Sequence, residues 1–288
     1  MMTTTPSSEW NMRFAPHIGL YSPDTPMFLH SVGSLDPVAH IDFIARLGFA
    51  GVEDNALLLR DEVDQSRIGE ALGRHGLEMG CFAFDPEHWV EPLWAQGDEA
   101  TRVHLKSELA RAGDAAHRVN GRFVTVLSGR DPLMPFAMQL QGMVDNLRIL
   151  ADDAHSRGIT LLIEPLSQWD YPAMLINDFH DAYAVVKAVN HPAVRLMFDV
   201  FHVQAMNGNL LRNLDLTYDV VAMVQIADSP NRSEPGSGEI NFVNVLKHLQ
   251  NKGYSGLVEL EHSISGPDKA GEDAALGRLR AINSQLHS

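Results

Sequence analysis

The sequence predicts an α/β chain folded as a single (β/α)8 TIM barrel, and three observations carry that expectation. Its 288 residues lie close to the roughly 250 typical of one such barrel. From residue 13 onward, short β-branched or apolar runs alternate with longer segments of helical periodicity, the pattern of parallel strands joined by crossover helices. Runs such as LLI and VVAMVQI are apolar at successive positions, which suits strands covered on both faces and argues against an open antiparallel sheet.

In chain order, the expected strands are FAPHIGL (14–20), AGVED (50–54), LEMGCFAF (77–84), RFVTVL (122–127), ITLLIEP (159–165), VRLMFDV (194–200), VAMVQIAD (221–228) and GLVELEH (256–262). Between and after them the periodicity places helices near 37–48, 62–75, 99–119, 137–157, 178–190, 209–217, 241–252 and 268–286. The joints RLGFAGVE, RHGLEMG, SRGITLL and NKGYSGLV each put Gly after a helix with a basic residue nearby, as C-terminal capping and the helix dipole favour. Residues 1–12 read as a loose tail and 13–288 as one catalytic barrel, with no Pro- or Ser-rich linker dividing them. The competing fold is a doubly wound open sheet. It lacks support because no Gly-x-Gly-x-x-Gly follows a strand; PGSGEI (235–240) comes after the seventh strand without a downstream ribose-binding acid.

Composition narrows the partners. A formal net charge of -15 repels phosphate backbones and anionic bilayers, so neither nucleic acid nor a membrane is expected. The single cysteine, Cys81 in the apolar run MGCFAF, permits no intramolecular disulfide and reads as a buried structural thiol. The opening MMTTTPSSEWN has no basic stretch followed by an apolar one, and no apolar run is long enough to span a bilayer, so a cytoplasmic protein is expected. None of the 14 histidines lies in a metal-binding tract, and each has to be judged singly.

In a barrel of this kind chemistry sits at the C-terminal ends of the strands. The fifth strand ends in Glu164, the sixth in Asp199, the seventh contains Gln225 with Asp228 beyond, and the eighth ends in Glu261 and His262. Alone, each has a plainer use: a strand-end acid as a helix cap or salt-bridge partner, and Gln225 as a core amide satisfied by backbone. Four oxygen-bearing side chains from successive strands at matching height form an all-oxygen set suited to one hard divalent ion, Mg2+ or Mn2+. Glu164 and Glu261, facing each other across that ion, are the expected pair for removing and returning a proton. The ion would hold adjacent hydroxyl and carbonyl oxygens of the substrate and stabilise an enediolate. Glu259 is a rival expected to lie deeper in the barrel. His202 is placed to donate to a substrate hydroxyl or to serve as a packing histidine. Arg232 is placed to pair with an anionic substrate group or to be a solvated loop arginine.

At these positions the chain resembles the hydroxypyruvate isomerases, within the xylose isomerase-like group of sugar isomerases and epimerases. The resemblance is carried by LLIEPLSQWDYPAMLIN, LMFDVFHVQAMNGNL and VQIADSPNRSEPGSGEINF, with ELEH less specific and VEDN and FDPEHW looser. It implies that Glu164, Asp199, Gln225 and Glu261 hold the metal and that the two glutamates interconvert hydroxypyruvate and tartronate semialdehyde. It further implies substrate contacts from His202, Asp228 and Arg232, a supporting role for Glu53, and pairing of barrels through loops at the catalytic face in a homo-oligomer of unspecified size. Two departures bear on substrate. Segment 21–37 resembles an insertion, and Trp169 stands where these isomerases commonly carry Arg. A larger or less charged sugar, or an oxo-tetronate, stacking on Trp89 or Trp169 is therefore the alternative to a small anion.

Other functions remain on the same scaffold. Ketose 3-epimerisation uses the same metal and glutamates, although Gln225 stands where the epimerases more often resemble His. A polyol dehydratase and a non-catalytic sugar-binding barrel are more distant. The DNA-repair branch of the fold, with three zinc ions, needs more strand-end histidines and a basic face.

Overall fold

The computed structural model describes residues 10–287. Its strands are β1 (Arg13–Pro16), β2 (Gly51–Val52), β3 (Glu78–Met79), β4 (Cys81–Ala83), β5 (Phe123–Val126), β6 (Thr160–Ile163), β7 (Val194–Asp199), β8 (Val221–Ile226) and β9 (Leu257–Leu260). Seven form one sheet in the order β1-β9-β8-β7-β6-β5-β4, and β2 pairs with β3. Every pairing is parallel.

The third expected strand, 77–84, is divided. Its first part pairs with β2 and its second with β5, so it links the two ladders. The division falls at Gly80, where a Cβ would stand 2.0 Å from Glu259 Oε1; only a glycine lets that carboxylate approach the backbone. On the other side, the N–H groups of Ala50 and Glu53 donate to the carbonyls of Phe14 and Pro16, each at 3.0 Å. A bridge between His17 and Glu53 extends this contact, so the wall continues through β2 back to β1 as a barrel.

The crossover helices match the expected ones within about two residues, the usual uncertainty of helix ends. They are α2 (Pro37–Arg46), α3 (Glu62–His75), α4 (Glu99–Val119), α5 (Phe136–Ser156), α6 (Phe179–Val189), α8 (Leu210–Thr217), α9 (Phe242–Asn251) and α10 (Lys269–Ser284). Asp36, Asp61, Asp98, Asp178 and Asp268 cap α2, α3, α4, α6 and α10 by accepting a backbone N–H in the first turn. Gly76 ends α3 with φ 66, the left-handed conformation expected of the RHG joint. Two short helices were not expected: α1 (Leu29–Val32), inside segment 21–37, and α7 (Val200–Met206), directly after β7. The first docks on α10, where the N–H groups of His30 and Ser31 donate to the buried Glu272 carboxylate at 2.8 and 2.7 Å.

The expectation of a loose tail through residue 12 does not hold for its last three residues. Trp10 and Met12 are buried, and Trp10 stacks on Phe49 with ring centroids 4.9 Å apart. Asn11 donates twice to Asn283, from its backbone N–H to Oδ1 at 2.8 Å and from its Nδ2 to the carbonyl oxygen at 2.9 Å. Residues 1–9 lie outside the described residues.

Strand alternation explains where polarity sits inside the barrel. Leu162, Met197, Met223 and Leu257 belong to a small buried cluster with Ala15 and Cys81. Each stands two residues before Glu164, Asp199, Gln225 and Glu259 respectively, on the same strand face. The interior is therefore apolar at its base and acidic toward the C-terminal ends. The larger core lies between the sheet and the helices and includes Phe14, Phe82, Phe179, Phe198 and Phe242, all buried.

Candidate active site

At the C-terminal end of the barrel a cavity of about 220 Å3 is lined by Glu164, Arg232, Glu261, Asn55, Tyr21, Tyr171 and Thr125 on its polar side. Leu20, Leu59, Ala83, Pro86, Trp89, Leu127 and Leu166 complete an apolar wall. The two glutamates expected to move a proton thus face one space. A roomier polar cavity of about 750 Å3 lies at the opposite end, around Arg13, Glu78, Arg122 and Tyr254. These residues flank the strand starts, the end that serves barrel stability.

The acidic groups stand in two tiers, which corrects the expectation of four ligands at one height. Register places Asp199 beside Gln225 and Gln225 beside Glu259, so Glu261 lies one step higher than the Gln225 row. In the lower tier Gln225 Nε2 donates to Glu53 Oε1 at 3.1 Å. Glu259 accepts the Cys81 N–H at 2.6 Å and the Cys81 thiol at 3.1 Å. Glu259 is completely buried, as its depth suggested. Burial, reinforced by the Glu259 charge, holds Glu53 well above the usual carboxylate range, and burial pushes Glu259 to about 7.

The upper tier contains Glu164 and Glu261, and Asp199, which shares the Gln225 row, reaches toward them: its ligand oxygen lies within 4.8 Å of that of Glu164, and Arg232 approaches both Asp199 and Glu261. Asp199 Oδ1 caps α7 by accepting the Phe201 N–H at 2.8 Å, the plain use foreseen for a strand-end acid, and this leaves Oδ2 facing inward. Glu261 Oε1 accepts Asn55 Nδ2 at 2.7 Å, and its Oε2 is paired with the Arg232 guanidinium, which also lies 3.5 Å from Asp199 Oδ2. Burial, then repulsion from Glu261 and Asp199, holds Glu164 well above its ordinary value. Burial raises Asp199 to about 7 against the opposing pull of Arg232.

Whether these residues suit a cation is tested by their unpaired atoms. Glu164 Oε1, Asp199 Oδ2 and Gln225 Oε1 are buried oxygens with no hydrogen-bond partner. Buried acceptors are normally satisfied, so three orphaned oxygens on three of the four expected ligands fit a hard dication. His202 also lies close, with Nε2 3.6 Å from Asp199 Oδ2. It is not a ligand by its own chemistry. The Ser167 N–H donates to its Nδ1 at 3.1 Å, and burial keeps the ring neutral, so the ring proton sits on Nε2 as a donor.

The remaining expected residues divide. Trp89 lines the cavity, with its ring 5.7 Å from that of Tyr171. Trp169 does not: it is 77% exposed and absent from the lining, which corrects its assignment as a stacking surface. Asp228 is also corrected. Its carboxylate is consumed by the N–H groups of Ser229, Gly236, Gly238 and Ile240 at 2.8 to 3.1 Å. It shapes the β8–α9 loop instead of facing substrate. Gly238 is required there because a Cβ would fall 2.0 Å from the Ser229 carbonyl oxygen. That loop holds Arg232 at φ 49, a conformation rare for residues other than glycine and often found at functional sites. Glu53 lies in the lower tier, beneath the cavity.

Sequence reasoning missed Asn55 and Tyr171. Asn55 ends the VEDN stretch that carried part of the resemblance, one residue beyond the expected strand. Tyr171 is two residues from Trp169 in the same loop; its hydroxyl accepts Arg232 Nη1 at 2.9 Å, leaving its own proton free to donate. Burial raises the phenol to about 12, so it stays protonated near neutrality.

The model of the xylose isomerase-like TIM barrel family matches residues 41–282. Hydroxypyruvate isomerase of Escherichia coli is 27% identical over 250 residues, covering 83% of this chain and 92% of that protein. The 2-oxo-tetronate isomerase of Cupriavidus necator is 26% identical over 240 residues, covering 81% and 88%. Among solved structures, a protein described as an AP endonuclease, family 2, from Brucella melitensis superposes with a TM-score of 0.77 at 27% identity, over 90% of this chain and 96% of that one.

Proposed function

Because the chain belongs to the xylose isomerase-like TIM barrel family, we propose that it is a metal-dependent isomerase of a small hydroxy-carbonyl compound, with Glu164 and Glu261 as the proton-transfer pair. The observation that carries this reading is that both glutamates open on one cavity while Glu164, Asp199 and Gln225 each offer a buried oxygen that accepts no hydrogen bond. The ligand set would be Glu164, Asp199, Gln225 and Glu261, and a bound Mg2+ or Mn2+ would supply Lewis acidity to the substrate oxygens.

The chain's own groups account for the rest. One carboxylate lining the cavity takes the proton from the hydroxyl-bearing carbon beside the carbonyl, and the opposite carboxyl group, entering protonated, gives its proton to the former carbonyl carbon. The hydroxyl proton passes to the former carbonyl oxygen, and exchange with solvent resets the two glutamates. His202 Nε2–H and the Tyr171 hydroxyl donate to substrate oxygens, and Arg232 balances negative charge building there. The apolar wall excludes water from the reacting carbons. About 220 Å3 is below the roughly 300–1,000 Å3 of pockets for drug-sized ligands, so the substrate is small.

Among the described residues Arg232 is the one cation on the cavity lining, and it is already paired with Glu261. This favours a neutral hydroxy-carbonyl compound, whose tail rests on the Leu20–Trp89 wall, over the carboxylates hydroxypyruvate and oxo-tetronate. The net charge of -15 gives no support to a nucleic-acid substrate.

The test is deuterium wash-in from D2O across three- to six-carbon hydroxy-carbonyl compounds, read by mass and NMR. Exchange with aldose–ketose interconversion is expected, lost on chelation and restored by Mn2+ or Mg2+. Inversion at one carbon without interconversion would reassign the reaction to epimerisation, and no exchange with any compound would overturn the proposal. On the best substrate, Trp89→Ala is expected to lower kcat/KM about 2- to 10-fold, from a stacking contribution of about 0.5–1.5 kcal/mol, while Trp169→Ala changes it little. Equal effects of the two would place the substrate elsewhere.

A further inference from the structure

Of the 14 histidines, two converge with a carboxylate outside the candidate active site. Asp85 and His88 lie in the connection from β4 to α4, and His104 lies on the second turn of α4. His88 Nδ1 is 2.8 Å from Asp85 Oδ1, and His104 Nε2 is 2.6 Å from Asp85 Oδ2. The three ligand atoms all lie within 4.8 Å of one another. We propose that Asp85, His88 and His104 bind a second divalent ion, of borderline character such as Zn2+, which ties the β4–α4 connection to α4.

The donor chemistry selects the ion. Two imidazoles and one carboxylate suit Zn2+ better than Mg2+ or Ca2+, in contrast to the oxygen set inside the barrel. Bonds of about 2.0–2.2 Å to a tetrahedral ion separate its ligands by roughly 3.3 Å. The two nitrogens, each on a different Asp85 oxygen, would need to draw back from that carboxylate by well under an ångström and, lying within 4.8 Å of each other, to close by at most about 1.5 Å. Both imidazoles have room to do so, since their side chains are 40% and 33% exposed, while Asp85 is buried and fixed. That exposure also leaves a path for the ion and a water as fourth ligand.

Charge points the same way. Arg111 is the nearest cation, 4.0 Å from Asp85 Oδ1, and it is paired with Glu108 at 2.6 Å, with Glu87 at 3.8 Å. Three carboxylates around one guanidinium leave an excess of negative charge that a dication neutralises. His104, Glu108 and Arg111 recur at helical spacing on one face of α4, which brings them to the connection together. The same connection carries Pro86 and Trp89 onto the cavity wall, so a tie at Asp85 fixes that wall.

Zinc bound per chain is measured at pH 8 by calorimetry and by metal analysis after gel filtration. The full-length protein is compared with His88→Gln, His104→Gln, the double variant and Asp199→Asn. Loss of one equivalent in the double variant, an affinity at least about 10-fold weaker in each single histidine variant, and retention of that equivalent in Asp199→Asn are the expected results. Zinc should also raise the Tm of the native protein more than that of the double variant. Circular dichroism of each variant separates misfolding from loss of ligands, and a Co2+ spectrum with tetrahedral d–d bands that vanish in His104→Gln gives a second reading. Unchanged stoichiometry and affinity in the folded double variant would overturn the proposal, leaving Asp85 as the hub of two hydrogen bonds only.

Discussion

Replacing Glu164 or Glu261 by glutamine is expected to leave a folded protein whose turnover is lower by about 10²–10⁴-fold, the usual contribution of one positioned acid–base group. The substitution keeps shape and removes the ability to carry the proton. Stability should be little affected at Glu164, because burial and neighbouring carboxylates already penalise its charge. At Glu261 an amide can still accept from Asn55 but gives up the charged contact to Arg232. Steady-state kinetics alongside thermal melts decide the matter. A folded variant with near-native kcat removes that glutamate from the mechanism.

The largest effect on stability is expected at Arg60, remote from the reacting atoms but near the groups that position them. Arg60 Nε donates to Asp54 Oδ2 at 2.7 Å and Arg60 Nη2 donates to the Ile18 carbonyl at 2.9 Å. The two side chains are only 3% and 0% exposed, so the pair is shielded from screening by solvent. Arg60→Ala leaves the Asp54 carboxylate buried without its partner and should cost about 3–5 kcal/mol. Urea unfolding gives the comparison. The double variant Arg60→Met with Asp54→Leu should recover most of the loss, because the cost comes from the stranded charge more than from the lost attraction. If Arg60→Ala falls within about 1 kcal/mol of the native protein, Asp54 must be reaching water or a proton. Asp54 precedes Asn55, which holds Glu261, so a drop in activity larger than the loss of folded protein is expected as well.

How much was legible in the chain differs between scaffold and site. Strands from residue 122 onward were readable because each is buried on both faces, and uninterrupted apolar runs mark such strands directly. The strand at 77–84 read as one piece, yet it divides at Gly80 because Glu259, 179 residues later in the chain, needs that space. No local pattern encodes a contact at that distance. Helix α7 was invisible for a related reason: it begins on the cap supplied by Asp199, and although capping is a plain use of any strand-end acid, the seven residues that follow carry too short a pattern to mark a helix.

At the site, strand-end position and the family resemblance together singled out Glu164, Glu261 and Arg232, which meet at one cavity, although each has a plainer use when taken alone. Type did not separate Trp89 from Trp169, or show that Asp228 is consumed by its own loop. Those outcomes depend on how loops fold back, which apolar periodicity does not describe. Tyr171 and Asn55 went unremarked because a phenol or an amide in a loop carries no signal until something faces it.

The sequence by itself determined the barrel, the order of its elements and the strands that deliver acid to its mouth, because these follow from spacing and burial along a single run of chain. Only the tertiary structure decided the heights of the carboxylates, the pairing of Arg232 with Glu261, the tautomer of His202 and the meeting of Asp85 with two histidines. Each of these depends on distances between residues far apart in the chain. Coulombic and hydrogen-bond energies change over a few ångströms, a scale set by strand register and loop closure.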